Sequence, residues 1–157
     1  MDMSDQREAI SPGISLGDFV KCLFDIRRSG GESGREGGLT LKEILRYGHF
    51  RLWLEDCDER NPQKSLNRQA AARIIHLFLR IECGLEDIAD IEEAEKLADL
   101  YTCRLCANHI AQVYMRGIMQ AQEIENGKYI FNHLEPVLKE EADLIISKIG
   151  ALLSFLK

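Results

Sequence analysis

The sequence predicts an all-α fold: a compact bundle of about five to six helices. Three observations lead there. Helix-opening signals recur along the chain, the segments behind them carry apolar residues three and four apart, and no stretch alternates over the length of a strand.

The first opening is Ile14-Ser15-Leu16-Gly17-Asp18-Phe19. Ser15 is placed to cap, Asp18 to reach back to it, and Ile14 and Phe19 to form a hydrophobic staple. Phe19, Val20, Leu23 and Ile26 then line a short helix. The stretch from Ser29 to Gly38 holds five glycines and two serines, which marks a flexible connector or exposed loop. Leu39-Thr40-Leu41-Lys42-Glu43-Ile44 repeats the capping logic and opens a second helix through Ile44, Leu45, Phe50, Leu52 and Trp53, ending near Asp56. A charged loop from Asp56 to Ser65 follows. Asn67 caps a third helix lined by Ala71, Ile74, Ile75, Phe78, Leu79 and Ile81. The acidic run Glu86–Glu95 lacks calcium-loop spacing and reads as the acid-rich, solvated start of a helix. From Ile91 to Arg116 the apolar spacing fits one long helix or two broken ones. Asn126-Gly127 marks a turn, and Lys128–Phe131 is the one strand candidate, too short to found a sheet. The last helix opens after Val137 with Glu141 but no polar cap, and carries Leu138, Ala142, Ile145, Ile149, Leu152 and Leu156.

Composition narrows function. The chain has 157 residues, 45% of them apolar, and reads as one domain over 1–157. A net charge of −6 argues against a nucleic-acid binder and against docking on an anionic membrane. No window approaches the ~18 apolar residues of a membrane span. The N-terminal residues Met1 to Glu8 have no apolar secretory region. The chain as it stands therefore reads as cytosolic, or as an excised piece of an exported protein.

Chemistry-bearing motifs are sparse. Cys22, Cys57, Cys83, Cys103 and Cys106 are odd in number and scattered, which favours reduced thiols. Cys103-Arg104-Leu105-Cys106 with His109 invites a zinc reading. Structural zinc wants four ligands from two knuckles and no second pair exists, so no metal or other cofactor is expected. His49, His76, His109 and His133 lie far apart in sequence. With no phosphate loop, paired-histidine motif or serine elbow, no catalytic residue and no enzyme activity are expected. Arg73, His76 and Arg80 read as the solvent face of the third helix. Trp53 and Tyr47 are candidates for stacking on a sugar ring, with core packing as the alternative.

The order of features after Ile91 carries a resemblance. A helix ends in Gly117-Ile118, a loop with Gly127 leads to Phe131, and Pro136-Val137 precede a helix with Lys139 and Glu141. This resembles an S-layer homology repeat, in which a Gly-Ile pair, a loop glycine, a phenylalanine and a proline lead to a helix opening with Arg and Glu. Arg68 in Leu66–Ala70 matches the family arginine, Ala70 stands where the family has Glu, and Ile14–Phe19 resembles the opening once more with Leu16 at the arginine position. The resemblance implies a pseudo-threefold bundle of degenerate two-helix repeats: a partial first over 1–28, the loop 29–38, a second over 39–84, and the best-matching third over 85–157. It departs from the family at Cys106, where an aromatic is common, and in the middle repeat, which has no Gly-Ile pair. The function implied is non-catalytic binding of anionic, pyruvylated wall polysaccharide at the cell surface, with Arg68 and Lys139 as contacts at helix N-termini. The alternative is an intracellular helical protein–protein interaction domain that keeps the fold without the sugar site, with surplus apolar residues on the last helix (Leu144, Ile146, Leu153, Phe155) for a partner or a second copy of the chain.

Overall fold

The computed structural model describes residues 13–29 and 38–156. The N-terminal stretch before Gly13 and most of the Gly/Ser-rich connector lie outside the described residues.

Seven α-helices and one two-stranded sheet make up the described residues, with helix at 57%. In order they are α1 (Leu16–Ser29), α2 (Leu41–Phe50), α3 (Asp56–Arg60), α4 (Arg68–Ile81), α5 (Glu92–Glu95), a 3-10 turn (Leu100–Thr102), α6 (Arg104–Met115), β1 (Gln122–Glu125), β2 (Lys128–Ile130) and α7 (Lys139–Phe155). The fold is mostly helical rather than purely so. Asn126 and Gly127 both take positive φ (52° and 76°) and join β1 to β2 in an antiparallel hairpin. The hairpin is exposed almost throughout, so its residues carry no apolar alternation for a strand reading to detect.

The openings follow the expected chemistry. Ser15 Oγ accepts from the Asp18 N–H at 3.1 Å. Thr40 and Glu43 form a full capping box. Asn67 accepts from the Ala70 N–H at 2.8 Å. The opening of α7 has no side-chain cap. The stretch from Ile91 to Arg116 is broken into α5, the 3-10 turn and α6.

Three of these openings meet. The Ile14 N–H donates to the Val137 carbonyl (2.8 Å), the Val137 N–H to the Leu66 carbonyl (2.8 Å), and the Leu66 N–H to the Ile14 carbonyl (3.0 Å). The hydrogen bonds close a ring, and all three side chains are buried. The starts of α1, α4 and α7 are thus tied at one point by main chain alone, independent of side-chain identity beyond the need for apolar bulk. The contacts just outside the ring repeat as well. Leu16 and Gly17 N–H donate to Lys64 and Pro62 carbonyls, and Arg68 and Gln69 N–H donate to Glu135 and His133 carbonyls.

The ends of α2 and α6 also share one path. After α6, Gly117 N–H bonds Tyr114 O and Ile118 N–H bonds Val113 O, a Schellman closure with Gly117 at φ 74°. After α2, Leu52 N–H bonds His49 O and Trp53 N–H bonds Gly48 O, with Leu52 also at φ 74°. Leu52-Trp53 therefore occupies the backbone place of Gly117-Ile118, and Trp53, like Ile118, turns into the core. α2 accordingly stops at Phe50, short of the Asp56 expected from periodicity, and Phe50 is left exposed.

The core is one cluster drawing on every helix but α3. Its largest contact joins α4 to α6, and α1 packs on both α2 and α7. No helix among the described residues is long and apolar enough to cross a membrane.

Candidate functional site

Arg68, at the first position of α4, is 4% exposed. Its guanidinium donates to Phe131 O at 2.8 Å, to Gln120 O and to Glu141, and lies 4.5 Å over the Phe131 ring. Burial pulls its pKa below the usual arginine value, with Glu135 and Asp99 acting in the opposite sense. Arg68 is thus not a solvated first-turn side chain. It clamps the hairpin loop and α7 to α4. Phe131 in turn is fixed by the Asp99 carboxylate, which accepts the Phe131 and Asn132 N–H groups at 2.8 Å each.

Two grooves flank the 119–121 loop. One, of about 230 Å³, has Arg68 and Glu141 among its walls and adds Gln120, Leu144 and Lys148. The other, of about 410 Å³, is lined by Tyr114, Tyr129, Met115, Gly117 and Glu93. In the first, Arg68 neutralises Glu141, which leaves Lys148 as the cation without an ion pair among the described residues. In the second, Tyr129 is 44% exposed and offers a ring face. Lys148, Gln120, Tyr114 and Tyr129 carry no sequence signal that sets them apart: each is an ordinary side chain of a helix, loop or hairpin.

The remaining predicted residues fall in different places. Lys139 is exposed, with no ion pair among the described residues, and does not line either groove. Trp53 is fully buried, edge-on to Phe78 at 5.1 Å, with its indole N–H donating to Glu82 at 3.1 Å. Trp53 thus follows the core-packing alternative, and no sugar can stack on it. Tyr47 is partly open and belongs to the same Glu82 cluster, donating its hydroxyl at 3.0 Å beside Arg51 at 2.8 Å. Gly117 and Gly127 supply positive φ. Ile118 and Phe131 are core, and Pro136 bridges to Asn67 at the ring.

The polar strip on α4 is not a solvent face. Arg73 grips the fully buried Asp58 through two bonds of 2.9 and 3.2 Å. His76 is buried, with Nε2 2.7 Å from Asp87 and Nδ1 2.8 Å from His109 Nδ1. A carboxylate only accepts, so His76 donates from Nε2 to Asp87, and a single proton is shared between the two Nδ1 atoms of His76 and His109. Burial, then the neighbouring His76 and Arg73, lowers the His109 pKa to about 4. At Asp87 burial acts to raise the pKa, but hydrogen bonds from His76 and Asn108 outweigh it and the carboxyl falls below its usual value. Only Arg80 of the strip is exposed. In the acidic run Asp87 is thereby tied to α4 and α6 while staying open to solvent, and the acids of α5 are exposed. Among the described residues no group of three His, Cys, Asp or Glu side chains is placed to hold a metal ion.

No family model matches the chain, and no curated protein matches it. One solved structure is similar: an undecaheme cytochrome from the S-layer of Carboxydothermus ferrireducens, 13% identical, with a TM-score of 0.49. The match covers 98% of this chain and 24% of that one, so the chain spans about a quarter of the cytochrome's length.

Proposed function

We propose that the chain is a non-catalytic binding module of the S-layer homology type, built from three degenerate two-helix repeats around a pseudo-threefold axis, and that it holds an acidic wall polysaccharide. The observation that supports this reading is the closed ring Ile14–Val137–Leu66, because it joins the three openings that resemble the family pattern at equivalent atoms. The shared backbone path of Leu52-Trp53 and Gly117-Ile118 supports it a second time.

The ligand lies along the 119–121 loop. Lys148 meets the acidic group, the free amide of Gln120 donates beside it, and Tyr129 stacks on the adjoining sugar face. Arg68 acts through Glu141 and the loop: by neutralising that carboxylate it removes a charge that would repel an anion. Lys139 is a second contact, at the opening of α7, with localisation at the cell surface.

Co-sedimentation with bacterial wall sacculi, before and after chemical extraction of their secondary polymer, tests this. Retention that vanishes on extraction is expected. Equal sedimentation with both preparations, or with neither, removes the proposal.

A second reading has its own observation. Leu144 on α7 and Leu156 just after it are half exposed, and Phe155 at the end of α7 is 86% exposed, an apolar surface suited to a protein partner or a second copy of the chain. On that reading the domain is a helical interaction module without a sugar site, and analytical ultracentrifugation of wild type against Phe155→Glu distinguishes a homodimer from a monomer.

A further inference from the structure

Cys103 and Cys106 bracket the first turn of α6 and belong to neither groove. Cys103 stands at the N-cap position without a side-chain cap hydrogen bond, so its sulfur is not committed to the helix. Cys106 follows three residues later on the same face. The two sulfurs are 2.7 Å apart as free thiols. Both residues are half-buried, which leaves them open to a small reagent. Chain spacing of one turn also suits the short Cα separation a disulfide needs.

The surroundings divide the roles. Burial and then the adjacent Cys103 sulfur push the Cys106 thiol up to about 12. Cys103 lies at the end of α6 where the first-turn N–H groups favour negative charge. The other thiols are placed differently: Cys22 and Cys57 are exposed, and burial pushes the Cys83 thiol up to about 11.

We propose that Cys103 and Cys106 form a thiol–disulfide exchange site that reacts with a small-molecule disulfide and closes to an intramolecular disulfide. The Cys103 thiolate attacks one sulfur of the reagent, forming a mixed disulfide and expelling the first reagent thiolate. That thiolate takes the Cys106 proton. The Cys106 sulfur then attacks the Cys103 sulfur, breaks the mixed disulfide and expels the second thiolate, which takes up the proton first lost from Cys103. Two protein thiols lose two electrons and two protons, and the reagent disulfide gains both as two thiols.

The test uses the whole chain and oxidised glutathione, with free thiols alkylated before tryptic digestion. Arg104 lies between the two cysteines, so trypsin separates 97–104 from 105–116 unless a disulfide holds them. The expected result is one linked species containing both segments, released by dithiothreitol. Cys106→Ser is expected to stop at a glutathione mixed disulfide on Cys103, and the Cys22→Ser, Cys57→Ser, Cys83→Ser triple variant to form the link as wild type does. Should that triple variant fail to fold, the wild-type digest decides alone. A lasting mixed disulfide on wild-type Cys103 overturns the proposal. So does a link from either cysteine to Cys22, Cys57 or Cys83, or modification of Cys22 and Cys57 while 103 and 106 stay reduced.

Discussion

Leu52 sits in the left-handed region at φ 74°, with its side chain 71% exposed, at the backbone place that glycine fills after α6. Leu52→Gly is therefore expected to stabilise the protein, against the usual direction of point substitutions. A non-glycine residue in this region carries about 1–2 kcal/mol of steric cost. Glycine gives back about 0.5–1 kcal/mol through the greater freedom of its unfolded chain. The exposed leucine surrenders only a few tenths of a kcal/mol of apolar burial, at roughly 25 cal/mol per Å². The net gain is about 0.5–1 kcal/mol, or a rise in Tm of roughly 1–4 °C for a chain of this size. Urea denaturation followed by circular dichroism reads it as a higher midpoint with an unchanged slope. The reciprocal change, Gly117→Ala, is expected to lose about 1 kcal/mol, because its φ is also 74° and no neighbour lies within 4 Å to add or remove contacts. A lower midpoint for Leu52→Gly, or no change for Gly117→Ala, would refute the claim that the two helix ends are the same backbone device.

Arg68→Met leaves Glu141 and the Phe131 and Gln120 carbonyls without their donor, and is expected to cost about 3–5 kcal/mol, whereas Lys139→Met should stay within ~0.5 kcal/mol; thermal denaturation compares them directly. Gly48→Ala places a Cβ 2.6 Å from Leu54 Cδ1 and 3.2 Å from the Trp53 ring, both buried, so overpacking of about 1–3 kcal/mol is expected in urea denaturation. His109 has a folded pKa of about 4, below its ordinary 6.5, so the unfolded chain binds more protons between those values. Its stabilising effect is full above pH 6.5 and is lost as pH falls towards 4, a loss on the order of 2 kcal/mol after solvent screening. A shallower fall in Tm between pH 7 and 4.5 for His109→Gln than for wild type checks this.

The helix openings were legible because capping and stapling are local: Ser15, Thr40 and Asn67 cap as their sequence context requires. Of the hairpin, the Asn126-Gly127 turn and the strand candidate from Lys128 were legible, but β1 was not, since it faces solvent on both sides and leaves no alternation to read. The fate of Trp53 depended on Leu52 adopting a conformation that leucine rarely takes. Arg73 and His76 looked like a polar outer face because their partners, Asp58, Asp87 and His109, come from three other segments. The groove shares this origin. Arg68 and Glu141 stood out by motif, but Lys148 and Tyr129 reach the 119–121 loop only through the packing of α7 and the hairpin.

The proposed role turns on whether that loop binds an acidic sugar. The most direct measurement is a titration of isotope-labelled protein with fragments of acidic wall polymer, followed by amide chemical shifts at low and high salt. The account predicts saturable shifts grouped at Gln120, Tyr129 and Lys148, weakened by salt and by Lys148→Met. Absence of shifts there, or shifts confined to the exposed apolar residues of α7, would contradict it.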